Sequence, residues 1–202
     1  MLEATFRKAP IGVASPTPLA ASRDQSLLAG WREGLAIINL RGTAETAAFV
    51  EAVSCTLDLP LPIQACTSAS NSTYRVVWAG PDDWFVIGPK GQSNALETQL
   101  RRTLEGTHHA ITDVSSGYTV LQLSGRPVRE VLAQGCPIDL HPRVFKPGSC
   151  AGSHYFKASI WFWQTDEAPT YEVLVRRSFM GYLWLMLERA SQECGLVTRR
   201  FA

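Results

Sequence analysis

The clearest pattern in the chain is a series of short apolar runs separated by stretches of helical spacing. "LAIINL" begins at Leu35, and "RGTAETAAFVEAV" follows it with Phe49, Val50, Val53 and Leu57 on one helical face. Thr43 is placed to cap this helix, and Pro60 and Pro62 end it. "CTSASNS", Cys66 to Ser72, reads as a polar loop. Thr73–Trp78 then alternates as a strand, "GPDD" turns the chain, and Trp84–Ile87 returns as the hairpin partner. Ser93 opens a second helix with Leu96, Leu100 and Leu104 inward, Gly106 stops it, and "HAITDV" supplies a further strand.

The same series then starts again. Thr119–Leu123 is a strand, and a helix follows with Val128, Val131 and Leu132 on one face. "CPIDLHPRVFKPGSC" is a long irregular segment. Strands near Tyr155–Trp163 and Tyr171–Val175 precede a helix over Ser178–Cys194. Seven residues follow Gly195, so the sixth element of this half is short or missing. "LAIINLRGTAETAAFVEAV" and "TVLQLSGRPVREVLAQG" are one phrase stated twice, with Gly42 and Gly125 in register. The pattern predicts an α+β fold of two pseudo-symmetric, ferredoxin-like βαββαβ units sharing one core. Residues 1–30, rich in Ala, Ser and Pro, form an irregular arm; 31–115 and 116–202 are the two units, and together they make one compact domain. A unit of this size alone is marginal, which is why two would share a core.

Composition narrows the picture modestly. The chain has 202 residues, 46% hydrophobic and 18% charged, with a formal net charge of +1, so a nucleic-acid or anionic-membrane footprint is not expected. Prolines 10, 16 and 18 interrupt any signal-peptide segment and no run is long enough to span a bilayer, so the expected location is cytoplasmic. Five cysteines without a C-x-x-C pair read as reduced thiols.

Candidate chemistry is sparse. The sequence contains no G-x-G-x-x-G after a strand, no Walker loop and no H-E-x-x-H, and neither metal-ligand nor cofactor-binding residues are assigned to this chain. Arg126 follows a lone Gly at a helix start, which reads as a solvated charge. Asp139, His141 and Cys150 supply the residue types of a Cys/His/Asp nucleophile, but the favoured reading is a loop that packs on a partner through Asp139, His141 and Arg143. Asp82 and Asp83 read as turn carboxylates, and His108 and His109 face opposite ways on a strand.

"INLRG", "GPDDWFVIGP", "TDVSSGYTVLQLSGRPVREVLAQGCPIDLHPRVFKPGSC" and "APTYEVLVRRSFMGYLWLML" together resemble the gamma subunits of heterotetrameric bacterial sarcosine oxidases. The resemblance implies a non-catalytic accessory subunit serving assembly and stability of a flavin-dependent oxidoreductase acting on CH–NH donors. That enzyme demethylates sarcosine to glycine with formation of hydrogen peroxide and passes the one-carbon unit to tetrahydrofolate. It implies alpha, beta and delta partner subunits that carry NAD, FAD, FMN, zinc and the tetrahydrofolate site, with no cofactor in this chain. More distantly, the strand–Gly–"REVL" unit and "YEVLV" resemble the folate-binding aminomethyltransferase superfamily. Its Gly-rich "TGEDGYE"-like hairpin corresponds to "TDEAPTYE", which keeps Tyr171 and Glu172 and replaces the glycines by Ala168 and Pro169. Asp113 and Glu172 are the acidic candidates for a pterin. Two alternatives stand beside the accessory subunit: a free-standing folate-dependent protein of the aminomethyltransferase type, and a structural subunit of an amine oxidase with another N-methylated substrate.

The two halves differ in their last helices. Phe179, Met180, Tyr182, Leu183, Trp184, Leu185, Met186 and Leu187 cover nearly the whole circumference of the second. A helix apolar all round is buried on more than one side. Trp161, Trp163 and Trp184 are therefore added to the expected partner-contact residues, since aromatic anchors are enriched at interfaces.

Overall fold

The computed structural model describes residues 26–199. The chain divides into two compact units, Gly34–Ser116 and a second made of Gly117 onward together with the residues up to Glu33. Strand β1 (Leu27–Arg32) therefore belongs to the second unit, although it precedes the first.

In the first unit the order is β2 (Ala36–Gly42), α1 (Ala47–Leu57), β3 (Ser68–Ser70), β4 (Arg75–Gly80), β5 (Asp83–Gly88), α2 (Ser93–Thr103) and β6 (His109–Asp113). Helix α1 starts one turn later than the sequence suggests. Thr46 is its N-cap, and the Thr43 carbonyl accepts the Thr46 N–H at 3.0 Å. Asp58, left-handed at φ 49°, ends it before Pro60 can clash. The sheet runs β3-β4-β5-β2-β6. Ile38, Leu40, Val76, Trp84, Val86 and Ile111 bury one face against Phe49 and Val53 of α1 and Leu96 and Leu100 of α2.

The second unit repeats this plan with β7 (Tyr118–Ser124), α3 (Val128–Ala133), β8 (Cys150–Tyr155), β9 (Ala158–Asp166), β10 (Thr170–Arg176), a 3-10 turn (Arg177–Phe179), α4 (Met180–Ala190) and β11 (Leu196–Thr198). The duplication holds at the level of residue pairs. Leu40 pairs with Trp84 in the first sheet, and Leu123 with Tyr171 in the second. Each sheet also buries its opposite face, through Ile37, Val77, Phe85 and Ile87 in one and Val120, Trp163 and Leu174 in the other.

The second sheet departs from the first at one place. Its order is β11-β1-β7-β10-β9-β8. β1 lies antiparallel to β7, in the position that β6 holds beside β2, and β11 pairs only with β1, in parallel. Several sequence expectations are corrected here. Leu27–Gly30, placed at the end of the irregular arm, and Trp31–Arg32, placed at the start of the first unit, form one strand with Leu27 and Ala29 fully buried, while residues 1–25 of that arm lie outside the described part. Ala29 and Gly30 break the apolar alternation that marks a strand in sequence. The single strand Tyr155–Trp163 is a hairpin arm on each side of a turn at Phe156, whose φ is 50°. The polar loop Cys66–Ser72 contains the short edge strand β3, while the sixth element, expected to be short or missing, is the three-residue β11.

Gly42 and Gly125 are counterparts in the repeat but are needed for different reasons. A Cβ at Gly42 would sit 2.2 Å from the Phe49 ring. Gly125, at φ +107°, would bring a Cβ within 2.6 Å of the Ser26 carbonyl, where β1 begins. Backbone cannot yield as a side chain can. Gly125→Ala is expected to cost about 2–3 kcal/mol through left-handed strain plus displacement of β1. Urea denaturation of the purified variant measures this, and an unchanged midpoint would contradict it.

Candidate functional site

One row of residues crosses the second sheet on a single face: Gly30 of β1, Gln122 of β7, Glu172 of β10, Trp163 of β9 and Cys150 of β8, each opposite the next. Glu172, 6% exposed, is the one buried carboxylate among the described residues. Burying a carboxylate is costly unless it is paired and hydrogen-bonded. Here both oxygens are engaged: the Trp163 indole N–H donates to Oε2 at 2.8 Å, and the Arg32 guanidinium donates to Oε1 at 3.0 Å. The carboxylate therefore ties β10 to β9 and, across β7, to β1.

A second polar chain lies on the opposite face of the same strands. Arg129 of α3 donates to the Tyr171 hydroxyl at 3.1 Å, and that hydroxyl donates to Gln164 Oε1 at 3.3 Å. Burial pushes the Tyr171 hydroxyl pKa up, with Arg129 pulling partly against it. Tyr155, which donates to the Val131 carbonyl at 3.0 Å, is raised well above the usual tyrosine range by burial and by Cys136 beside it. These groups support packing, since Tyr171 sits among Phe145 and Phe162 in the core.

The segment after α3 is irregular but held. Leu140 and Phe145 are buried, and the Phe145 ring stacks on Phe162 with centroids 5.1 Å apart. Around these two pins Asp139 Oδ1, just before Leu140, accepts the His141 backbone N–H at 2.9 Å, and His141 Nδ1 accepts the Arg143 N–H at 3.2 Å. Asp139, His141 and Arg143 are exposed, whereas Cys150 is buried at the start of β8. His141 and Asp139 thus spend ring and carboxylate atoms on the turn itself.

The remaining predicted residues fall as follows. Asp113, exposed at the end of β6 in the first unit, accepts the Ser115 N–H at 2.9 Å and the Ser115 hydroxyl, which closes a turn. Asp82 and Asp83 face Arg41, and Asp83 also accepts from Asn39, in keeping with the turn reading. Trp161 is half-buried, with the position of a Gly152 Cβ only 3.0 Å from its Nε1 and Tyr118 packed edge-on at 6.4 Å. Trp163 and Trp184, expected to be presented to partners, are buried within the chain itself. The reason is local: Trp163 holds Glu172, while Trp184 packs edge-on against Trp31 at 5.7 Å and donates to Glu188 at 2.9 Å. Arg32 was missed because no strand was expected between the arm, residues 1–30, and Leu35; the one signal for it was a charge closing the weak apolar run "LLAGW". Among the described residues no group of three metal-ligating side chains gathers.

The fold defines the class first. It is shared with the glycine cleavage system aminomethyltransferase T from Bartonella henselae, with a TM-score of 0.63 and 12% identity over 86% of this chain and 47% of that one. It is also shared with the heterotetrameric sarcosine oxidase from Corynebacterium sp. U-96 in complex with pyrrole 2-carboxylate, with a TM-score of 0.79 and 24% identity over 90% of this chain and 91% of the matched chain. The model of the sarcosine oxidase gamma subunit family matches residues 41–193. Sarcosine oxidase subunit gamma from Arthrobacter sp and its counterpart from Corynebacterium sp. (strain P-1) are each 33% identical over 147 residues, covering 72% of this chain and 70% of theirs. The chain belongs to the sarcosine oxidase gamma subunit family.

Tetrahydrofolate, which the aminomethyltransferase fold implies, finds a poor fit here. Glu172 has both oxygens occupied by residues of the chain, and Asp113 is turned into its own turn. Glu172 has no unengaged oxygen for a pterin, and Asp113 has Oδ1 committed to its turn.

Two predictions follow from the two polar chains. Glu172→Ala leaves the buried Trp163 N–H without its acceptor and Arg32 without its counter-charge, at a cost of about 2–3 kcal/mol. Glu172→Gln keeps an acceptor for Trp163 and is expected to cost about 1 kcal/mol; urea midpoints followed by tryptophan fluorescence rank the two. For the tyrosines the unfolded chain ionises near the ordinary tyrosine value of 10.0, while the folded hydroxyls stay protonated to higher pH. The stability they contribute is complete below that value and is lost as pH rises above it. Tyr155→Phe should therefore flatten the fall in urea midpoint between roughly pH 9 and 11, and a parent-like slope would contradict the assignment.

Proposed function

We propose that this chain is an accessory subunit, without catalytic residues of its own, of a heterotetrameric flavin-dependent sarcosine oxidase. That enzyme oxidises the N-methyl group of sarcosine, yields glycine and hydrogen peroxide, and passes the one-carbon unit to tetrahydrofolate. The partners are the alpha, beta and delta subunits, and FAD, FMN, NAD, zinc and the folate site reside in them. The complex works in the cytoplasm; no helix among the described residues is long and apolar enough to cross a membrane.

The observation that carries the reading is the state of Glu172. In a chain of this family, the one buried carboxylate among the described residues is consumed by Trp163 and Arg32 and fastens three strands together. A group so placed holds a fold; it is not free to bind or to move a proton. The exposed turn carrying Asp139, His141 and Arg143, fixed by two buried pins, suits contact with another subunit better than nucleophilic chemistry.

The test is reconstitution. The isolated chain should be colourless, inactive toward sarcosine and without tetrahydrofolate affinity, while co-expression with the other three subunits should give a stable complex that produces peroxide. His141→Ala and Cys150→Ala should leave that turnover within a few-fold of the parent, against the thousandfold loss on the order expected for a catalytic group. A stoichiometric flavin spectrum or tight tetrahydrofolate binding on the chain alone would overturn the proposal.

A further inference from the structure

Helices α2 and α4 occupy equivalent places in the two units and are both 11 residues long, offset by a constant 87 positions (Ser93 to Met180, Thr103 to Ala190). Their inward residues agree: Leu96 and Leu100 in one, Leu183 and Leu187 in the other, all buried. Their outward residues do not. On α2 the outer line reads Gln92, Ala95, Thr98, Arg102, all exposed. The matching line on α4 reads Phe179, Tyr182, Leu185, Arg189. Phe179 is 42% and Leu185 43% exposed, and the Phe179 and Tyr182 rings meet edge-on at 6.5 Å. The β8–β9 turn brings the Lys157 N–H to the Tyr182 hydroxyl at 3.4 Å, and Phe156, next in the chain, is 39% exposed.

The first unit shows what this helix position needs in order to fold, which is an inner apolar face and a polar outer one. The outer aromatic and aliphatic residues of α4 thus answer to something besides its own sheet. Exposed apolar surface of this kind, framed by charges, marks an interaction site. The charges next to it are Arg177 just before Phe179, Lys157 beside Tyr182, and Arg189 one turn beyond Leu185, against the single carboxylate of Glu188, which accepts the Trp184 indole N–H, so the frame is basic on balance. We infer that the Phe179–Tyr182–Leu185 face of α4 is a docking surface for a neighbouring subunit that presents apolar side chains flanked by carboxylates. The basic frame gives orientation and on-rate, and the central aromatics give affinity. This inference rests on the accessory-subunit reading.

The experiment is co-purification of the full chain with the other sarcosine oxidase subunits, comparing parent, Tyr182→Ala, Leu185→Asp and Thr98→Asp. Leu185→Asp and Tyr182→Ala should weaken assembly by about tenfold or more. Thr98→Asp, at the equivalent place on α2, should assemble as the parent does. Far-UV circular dichroism and urea midpoints should stay near the parent for Leu185→Asp and Thr98→Asp, whose changed side chains are exposed; Tyr182 also packs on the core, so Tyr182→Ala should lower the midpoint while keeping the dichroism, and Leu185→Asp is the fold-neutral comparison. Raised salt should slow association of the parent, as a basic frame requires. Parent assembly with unaffected α4 variants would overturn this inference and leave the accessory role standing; a parent that assembles with no subunit would overturn the role itself. A concentration-dependent homodimer lost on Leu185→Asp would give the surface to a second copy, and dye binding that rises on removal of residues 1–25 would give it to the chain's own beginning. Either result would overturn the inference.

Discussion

The second unit is closed by a strand that precedes every other element of the described residues. β1 fills the gap between β7 and β11, and without it β11 has no partner in the sheet. The pairing of Arg32 with Val120 brings the end of β1 to the start of β7, so the whole Gly34–Ser116 unit is carried in the connection of what would otherwise be a hairpin. The features of the site follow from that arrangement. Glu172 can be buried because β1 delivers Arg32 across β7, and Trp163 is held inward because Glu172 is there to accept its N–H. Gly125 is a glycine because the Ser26 carbonyl at the head of β1 occupies the space a side chain would take.

Most of the repeated architecture was legible in the residues. Leu40 with Trp84 and Leu123 with Tyr171 are equivalent pairs, and the helix stripes at Leu96–Leu100 and Leu183–Leu187 match, because period and register survive duplication even where side chains diverge. What escaped was the part fixed by long-range pairing. β1, β3 and β11 are short or weakly patterned, and each is a strand because of the neighbour it meets. Local propensity carries little of that information. The turn at Phe156 was hidden for a related reason, since apolar residues run through it on both sides without a glycine or proline to mark it.

The candidate site was legible in part. Glu172 was singled out through its likeness to a folate hairpin, and it does sit at the centre of a polar cluster, but with the opposite consequence: its oxygens are committed inward. Aromatic content pointed to contact surfaces and led to the wrong tryptophans. An indole with a buried acceptor, as Trp163 has in Glu172 and Trp84 has in the Pro62 carbonyl at 2.8 Å, is at home in a core, and sequence does not show the acceptor. The informative comparison proved to be between the two copies, since the repeat supplies its own reference for which outward residues the fold requires.

The order of strands bears on how the chain comes into being on the ribosome. Of the described elements β1 is synthesised first, yet the first residue of its partner β7 is Tyr118 and its other partner, β11, begins at Leu196. At roughly 5–20 residues per second β1 waits several seconds for one edge to be covered and longer for the other. During that interval the Gly34–Ser116 segment has all seven of its elements available. The nascent strand therefore remains an unpaired edge over that interval, with Arg32 and Glu33 placing charge at its end, and the charge of Arg32 meets its carboxylate only when Glu172 has been made.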